Sequence, residues 1–173
     1  NYFSLTEAFA AAKDDDIVTV LADIALDASI VNTKTVTLDL NGKTISHAED
    51  VSFSRMIDVY GELTIGDSSA NKDGKIVLSS GDSTSATVFT CNTLTVNNGT
   101  IANTAGGFAI NAAIIGMALP GTSAPVGFLV VENGVFVGGV TVWNENFSIR
   151  GGDFELLAIY DRAPDASMLG ERL

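Results

Sequence analysis

Residues 35–45 read TVTLDLNGKTI, and this pattern decides the fold class. Leu38 and Leu40 alternate with polar residues, as in a half-buried strand, and Asn41-Gly42 makes a corner before a second short strand that carries Ile45. Four later stretches repeat this order of apolar-x-apolar strand, glycine corner and short strand. The corner glycines of the five copies are Gly42, Gly74, Gly99, Gly134 and Gly152.

The irregular spacing of the copies is typical of a solenoid with loops of variable length. We expect equivalent inward residues to stack in columns, with successive coils about 4.8 Å apart. The first predicted column is Leu38, Leu63, Leu94, Leu129 and Phe147; the second is Leu40, Ile65, Val96, Val131 and Ile149; the third, in a second sheet, is Ile45, Ile76, Ile101, Phe136 and Phe154. Asn-Gly corners also join antiparallel hairpins, so a β-sandwich is the competing prediction.

The two ends of the chain depart from this pattern. Residues 1–13 are predicted to form an N-terminal cap helix, because Ser4-Leu5-Thr6-Glu7 is a capping box followed by helix formers. Residues 161–173 are predicted either to cap the open end of the stack or to lead into a further domain. With 173 residues and 46% hydrophobic content, residues 1–173 are predicted to be a single domain.

Composition excludes some partners. The formal charge of −12 and the nine basic residues argue against nucleic acid and anionic lipid. No apolar run is long enough to cross a membrane, so no membrane insertion is expected. Cys91 is the single cysteine, which excludes an intrachain disulfide, and we expect a buried, inert thiol.

Several stretches resemble one known family. The run from Tyr2 to Ser46, with DDDIVTVLADIAL and KTVTLDLNGKTIS, is similar to the N-terminal part of pectate-lyase-like β-helix domains of bacterial surface proteins. GELTIGDSS…DGKIVL, LTVNNGTIAN and FSIRGGDFE resemble later coils of such domains. The resemblance implies an all-β, right-handed parallel β-helix from a secreted or cell wall-associated, extracellular protein. It is specific for fold and weak for function.

The residues that could carry chemistry are isolated from one another. Asp39 is expected to point outward without an acidic neighbour, in a column with Thr64, Thr95, Val130 and Ser148. His47, the only histidine, is expected in an exposed loop without a serine or cysteine partner. Arg150 is expected to form a surface ion pair with Asp153. The sequence therefore predicts no catalytic residue and no cofactor.

One loop, residues 69–74 (SANKDG), resembles the first half of a calcium-binding loop. Ser80 stands where such a loop requires a bidentate glutamate, and no flanking helix is predicted. A polar loop between coils is the favoured interpretation, and no metal site is predicted.

The outward positions form a polar face that Phe128 and Val130 interrupt. The apolar segment 112–125 is predicted to fold over these two residues, with a partner-binding patch as the alternative. Threonine pairs in this face suggest an ice-binding array, but Glu62, Phe128 and Val130 interrupt the regular rows that such an array needs.

Trp143 is predicted to point outward beside Asn144 and Asn146, an arrangement suited to stacking on a sugar ring. An indole that packs under a loop or at an interface is the alternative.

The sequence thus favours a non-enzymatic surface module for adhesion, glycan contact or structural spacing, as part of a larger surface protein. Its expected partner is a glycan or a host or cell-surface protein. The alternative is a polysaccharide lyase or hydrolase, or a fragment of one, that acts on acidic glycans.

Overall fold

A computed structural model describes residues 2–112, 127–143 and 146–160, with the backbone alone for Trp143 and Tyr160. One helix, α1, spans Leu5–Ala11 within the predicted cap. The Ser4 hydroxyl accepts a hydrogen bond of 3.1 Å from the Glu7 backbone N–H, as the capping box requires. α1 buries Leu5 and Phe9 and packs against the third strand. The predicted cap over residues 161–173 lies outside the described residues.

The rest of the described chain is dominated by short strands. They are β1 Asp16–Thr19, β2 Ile24–Leu26, β3 Ile30–Asn32, β4 Thr35–Asp39, β5 Thr44–His47, β6 Arg55–Val59, β7 Glu62–Gly66, β8 Lys75–Leu78, β9 Ala86–Thr90, β10 Thr93–Val96, β11 Thr100–Asn103, β12 Phe108–Ala112, β13 Phe128–Val131, β14 Val135–Trp143, β15 Phe147–Ile149 and β16 Asp153–Tyr160.

Every described strand pairing is parallel. The first sheet has the order β1-β4-β7-β10-β13-β15, so each strand pairs with one from the next coil. The second sheet has the order β2-β5-β8-β11-β14-β12-β9-β6-β3, and β16 also pairs with β14. β14 is long enough to pair with β11 through its first half and with β12 through its second half. The described part of the chain therefore coils parallel strands into curled sheets, an arrangement compatible with a β-helix, and the antiparallel hairpins of a β-sandwich are not found there.

The register of the first sheet corrects one predicted copy. Leu38 pairs with Ile65, and Val36 pairs with Leu63, so the first copy is shifted by two residues from the prediction. The observed inward columns are Val36, Leu63, Leu94, Leu129 and Phe147, and Val18, Leu38, Ile65, Val96, Val131 and Ile149. A shift of two keeps the same face inward, because side chains alternate with period two.

The column predicted for the second sheet is confirmed and begins one coil earlier. Ile24 precedes Ile45, and the column continues through Ile76, Ile101, Phe136 and Phe154. The rings of Phe136 and Phe154 stack with centroids 4.7 Å apart. Together the inward columns form one apolar core along the stack.

The corner glycines serve two different needs. Gly42, Gly99, Gly134 and Gly152 have positive φ, the conformation expected of a sharp corner. Gly74 does not share this φ and is required for space, since a Cβ there would lie 2.6 Å from the Cβ of Leu40. The carbonyl groups of Gly74, Gly99 and Gly134 accept hydrogen bonds from the backbone of the next corner, so the corners stack on one another.

Buried amides hold two further bends. Asn103 donates to the carbonyl groups of Ser85 and Phe108, and its Oδ1 accepts from the N–H groups of Ala105 and Gly107. Asn32 donates to the carbonyl groups of Lys34 and Glu62 in the same manner. These bonds satisfy backbone groups that the strand ladders leave free.

Candidate contact face

The outward residues of the first sheet form a lattice of columns, which we call the outer face. Its central column is Ile17, Thr37, Thr64, Thr95, Val130 and Ser148. A second column includes Thr35, Glu62, Thr93 and Phe128. Because the strands are parallel and in register, hydroxyl groups of neighbouring coils repeat at the strand spacing of about 4.8 Å.

Phe128 gives this polar lattice an exposed aromatic ring. Its side chain is 37% exposed, and the neighbouring Val130 is half-buried. The segment 112–125 that was predicted to cover both residues lies, apart from Ala112, outside the described residues. An aromatic ring bordered by hydroxyl and amide groups can pack on the apolar face of a sugar ring while its neighbours bind the hydroxyl groups.

Asn146 belongs to this face. It directly precedes Phe147, whose register partner is Leu129, and it therefore lies beside Phe128. Its backbone carbonyl accepts a hydrogen bond of 3.1 Å from Leu129. The outward positions predicted from sequence already included both Asn146 and Phe128, and the register of Leu129 with Phe147 confirms that the two are neighbours across the strands.

The other two residues of the predicted glycan site, Trp143 and Asn144, lie partly or wholly outside the described residues. Trp143 ends β14, with its backbone in register with Tyr160, but its side chain and the whole of Asn144 lie outside the described residues. The grouping of Trp143, Asn144 and Asn146 into one binding site stays a prediction.

Asp39 occupies a different column from the one predicted. It pairs with Thr19 and Gly66, and Thr37 takes its expected place beside Thr64. Its Oδ1 accepts hydrogen bonds from the N–H groups of Asn41 and Ser68, and its Oδ2 accepts one from the Ser68 hydroxyl. The Asp39 carboxylate therefore fixes the corner by hydrogen bonds to the backbone of Asn41 in its own coil and of Ser68 in the next coil.

Arg150 pairs with Glu132, and the predicted pairing with Asp153 is wrong. The Nη1 atom of Arg150 lies 2.5 Å from Oε1 of Glu132, which belongs to the preceding coil. Both side chains are open to solvent, so the pair adds little stability. It remains a surface ion pair, as expected, with a different acid.

His47 is half-buried at the end of β5, and the expectation of an exposed residue without a serine partner is wrong. Its Nε2 atom lies 2.8 Å from the Ser79 hydroxyl and accepts a hydrogen bond from the Ser79 N–H. Its Nδ1 atom lies 2.8 Å from the carbonyl of Ala48. A carbonyl, rather than a carboxylate, therefore orients the ring, and the contact ties one coil to the next.

The loop that resembled half a calcium site is organised by Asp67. This carboxylate is 3% exposed and accepts hydrogen bonds from the N–H groups of Gly42, Ser69 and Gly74. Burial alone would raise its pKa, but these hydrogen bonds outweigh burial and lower it. Over the described ranges, no group of three or more His, Cys, Asp or Glu side chains could hold a metal ion.

A second polar contact lies on the outside of the second sheet. The guanidinium of Arg55 lies 3.6 Å from the centre of the Phe89 ring and 3.4 Å from Oδ1 of Asp58. Burial raises the pKa of Asp58, and Arg55 opposes that rise. Cys91 is buried in the same cluster, as expected, and its burial raises the pKa of the thiol.

Two further observations bear on the class of protein. In the parts of the chain that the structure describes, no helix is long and apolar enough to cross a membrane. Comparisons of the chain with models of known families, with curated proteins and with solved structures found no match.

Proposed function

We propose that this chain is a right-handed parallel β-helix module of a secreted or cell wall-associated surface protein, and that it acts by contact rather than by catalysis. The parallel pairing of successive coils and the in-register inward columns support the fold. The repeat and its pectate-lyase-like resemblance motivate the surface location, which is an expectation from sequence.

The outer face carries the functional part of the proposal. The strongest single observation in support of the outer face as a contact surface is the exposed ring of Phe128 in a lattice of threonine and serine hydroxyl groups. A rigid sheet holds these groups at fixed spacing, so a repeating polymer loses little of its binding energy to ordering the protein. Adhesion through a glycan chain is the use that this arrangement favours, with structural spacing as the simpler role.

Binding to a glycan array, with and without calcium, tests this proposal. Phe128→Ala is expected to weaken binding at least about tenfold, because stacking and apolar burial are both lost. Tyr60→Ala removes another exposed aromatic side chain, one that belongs to neither column of the outer face, and serves as the control. Trp143→Ala shows in the same screen whether the predicted Trp143 site contributes.

Each outcome has a separate meaning. Binding that is lost in Phe128→Ala and kept in Tyr60→Ala supports the outer face as the contact surface. Binding lost only in Trp143→Ala moves the site to the end of β14. Absence of binding across the array overturns glycan contact, and release of unsaturated or reducing ends from a polyuronate overturns the non-catalytic proposal.

A further inference from the structure

A cleft of about 810 Å³ lies at the N-terminal end of the stack. Leu5, Ala8 and Ala12 of the helical segment line one wall, and the chain from Asp16 to Ala25 lines the other. α1 packs against β3 and leaves β1 with an open side facing this cleft.

β1 lies at the edge of the first sheet. It pairs with β4 on one side, and no described strand lies on the other. The Asp16 N–H is already bonded to the Lys13 carbonyl, which shortens the free edge. An edge of this kind presents backbone donors and acceptors to which an extended segment can add as a further strand.

Apolar side chains border this edge. Ile17 is 67% exposed and Leu21 is 66% exposed, and both line the cleft. Val18 heads an inward column whose members Leu38 and Ile65 are fully buried, while Val18 itself is only half-buried. A strand placed beside β1 would complete the burial of Val18 and cover Ile17.

The rim of the cleft is negatively charged. Asp16 and Asp23 line it, and Asp14 and Asp15 directly precede β1; all four are exposed. The three aspartates of this turn outnumber its one exposed lysine, Lys13. Of the nearby cations, Lys34 donates its Nζ to the carbonyl groups of Ala10 and Ala12 at the end of α1 and is held there. A second copy of this chain, with its formal charge of −12, is repelled by such a rim, whereas a basic segment is attracted.

We propose that the cleft between α1 and the edge of β1 binds an extended protein segment in which apolar residues alternate with basic ones. The alternation follows from strand geometry, since one set of side chains faces the apolar cleft and the other faces the acidic rim. The cleft meets the outer face at Ile17, five strands away from Ser148 in the central column, and the proposal does not depend on glycan binding.

Fluorescence anisotropy with a labelled peptide tests the proposal. The probe alternates lysine and valine over about eight residues, the length of an ordinary strand, and a glutamate–valine peptide of equal length is its control. We expect saturable binding of the lysine peptide that weakens with added salt, and at least about tenfold weaker binding of the glutamate peptide.

Substitutions of exposed residues test whether the lysine peptide binds in the cleft. Ile17→Lys and Leu21→Lys are expected to weaken binding of the lysine peptide at least about tenfold, through lost apolar contact and charge repulsion. Leu156→Lys changes a leucine of similar exposure, 59% exposed in β16, and is expected to bind as the unaltered protein does. Circular dichroism of all three variants establishes that they are folded.

Three results would overturn the proposal. One is equal affinity for the two peptides, and another is equal affinity of Ile17→Lys and Leu156→Lys for the lysine peptide. The third is self-association in sedimentation velocity that Ile17→Lys abolishes and the peptide does not compete, since this would assign the cleft to a second copy.

Discussion

The carboxylate of Asp67 accepts a hydrogen bond of 2.5 Å from the backbone N–H of Gly74, seven positions further along the chain. The N–H groups of Gly42 and Ser69 bond to the same carboxylate at 2.8 and 2.9 Å. One side chain thus joins the corner of one coil to the loop of the next.

Replacement of Asp67 by asparagine is expected to lower the free energy of unfolding by about 2–3 kcal/mol. The amide has one acceptor oxygen for three N–H donors, and a buried donor without a partner is costly. Denaturation by urea measures the change. Asp73→Asn is the matched control: Asp73 is exposed in the same loop and should lose less than about 0.5 kcal/mol. Equal losses in the two variants would contradict the role of Asp67.

The contribution of Asp67 is expected to depend on pH. Its hydrogen bonds hold the folded-state pKa below the ordinary value despite burial, so the ionised form stabilises the fold. That stability is present above the unfolded-state pKa and is lost as the pH falls through the folded-state pKa. The difference in unfolding free energy between the unaltered protein and Asp67→Asn should therefore be constant above about pH 5 and shrink below about pH 4. A difference that grows on acidification would contradict this.

Gly61 is expected to tolerate no side chain. A Cβ at this position would lie 2.4 Å from the backbone nitrogen of Lys34, which cannot move without breaking the turn. Gly61→Ala should cost at least about 3 kcal/mol or prevent folding. Gly66→Ala is the control, since a Cβ there has its nearest neighbour at 3.9 Å. Thermal unfolding of the two variants checks the prediction, and similar melting temperatures would contradict it.

Removal of the Arg55 charge is expected to raise the pKa of Asp58 further. Burial already raises this pKa, and the guanidinium opposes the rise by charge attraction and a hydrogen bond. Because the folded-state pKa is raised, ionisation of Asp58 costs stability as the pH rises, and Arg55 reduces that cost. Carboxyl-carbon NMR titration of Arg55→Gln measures the pKa, with Lys75→Gln as a control. An unchanged or lower pKa in Arg55→Gln would contradict the role of Arg55.

The register of the repeat could be predicted from sequence where the apolar pattern allows only one alignment of the coils. Ile45 and its column were predicted correctly because the corner glycine fixes the alignment: Ile76, Ile101, Phe136 and Phe154 each stand two residues after it. Residues 35–40 instead offer three apolar positions with period two, at Val36, Leu38 and Leu40. Two registers therefore fit equally well, and strand pairing selects the one that sets Leu38 beside Ile65.

Contacts between coils could not be predicted by proximity in sequence. Arg150 pairs with Glu132, 18 residues away, although Asp153 is nearer in the chain. His47 meets Ser79, 32 residues away, for the same reason. The pairing of Val131 with Ile149 places Glu132 beside Arg150, so the alignment of the columns, and not proximity in sequence, predicts this partner. The same alignment places Phe128 beside Asn146, as the outward positions predicted.

The lattice of the outer face is the central claim, and distances between pairs of spin labels test it most directly. Labels at Ser148 and, in turn, at Thr64, Thr37 and Ile17 span three, four and five steps of the central column. Dipolar line broadening for the shortest pair and double electron–electron resonance for the two longer pairs should give separations that rise by about 4.8 Å per step, near 14, 19 and 24 Å between backbone positions. Separations that do not rise in equal steps, or that fall between Thr37 and Ile17, would contradict the parallel, in-register stack.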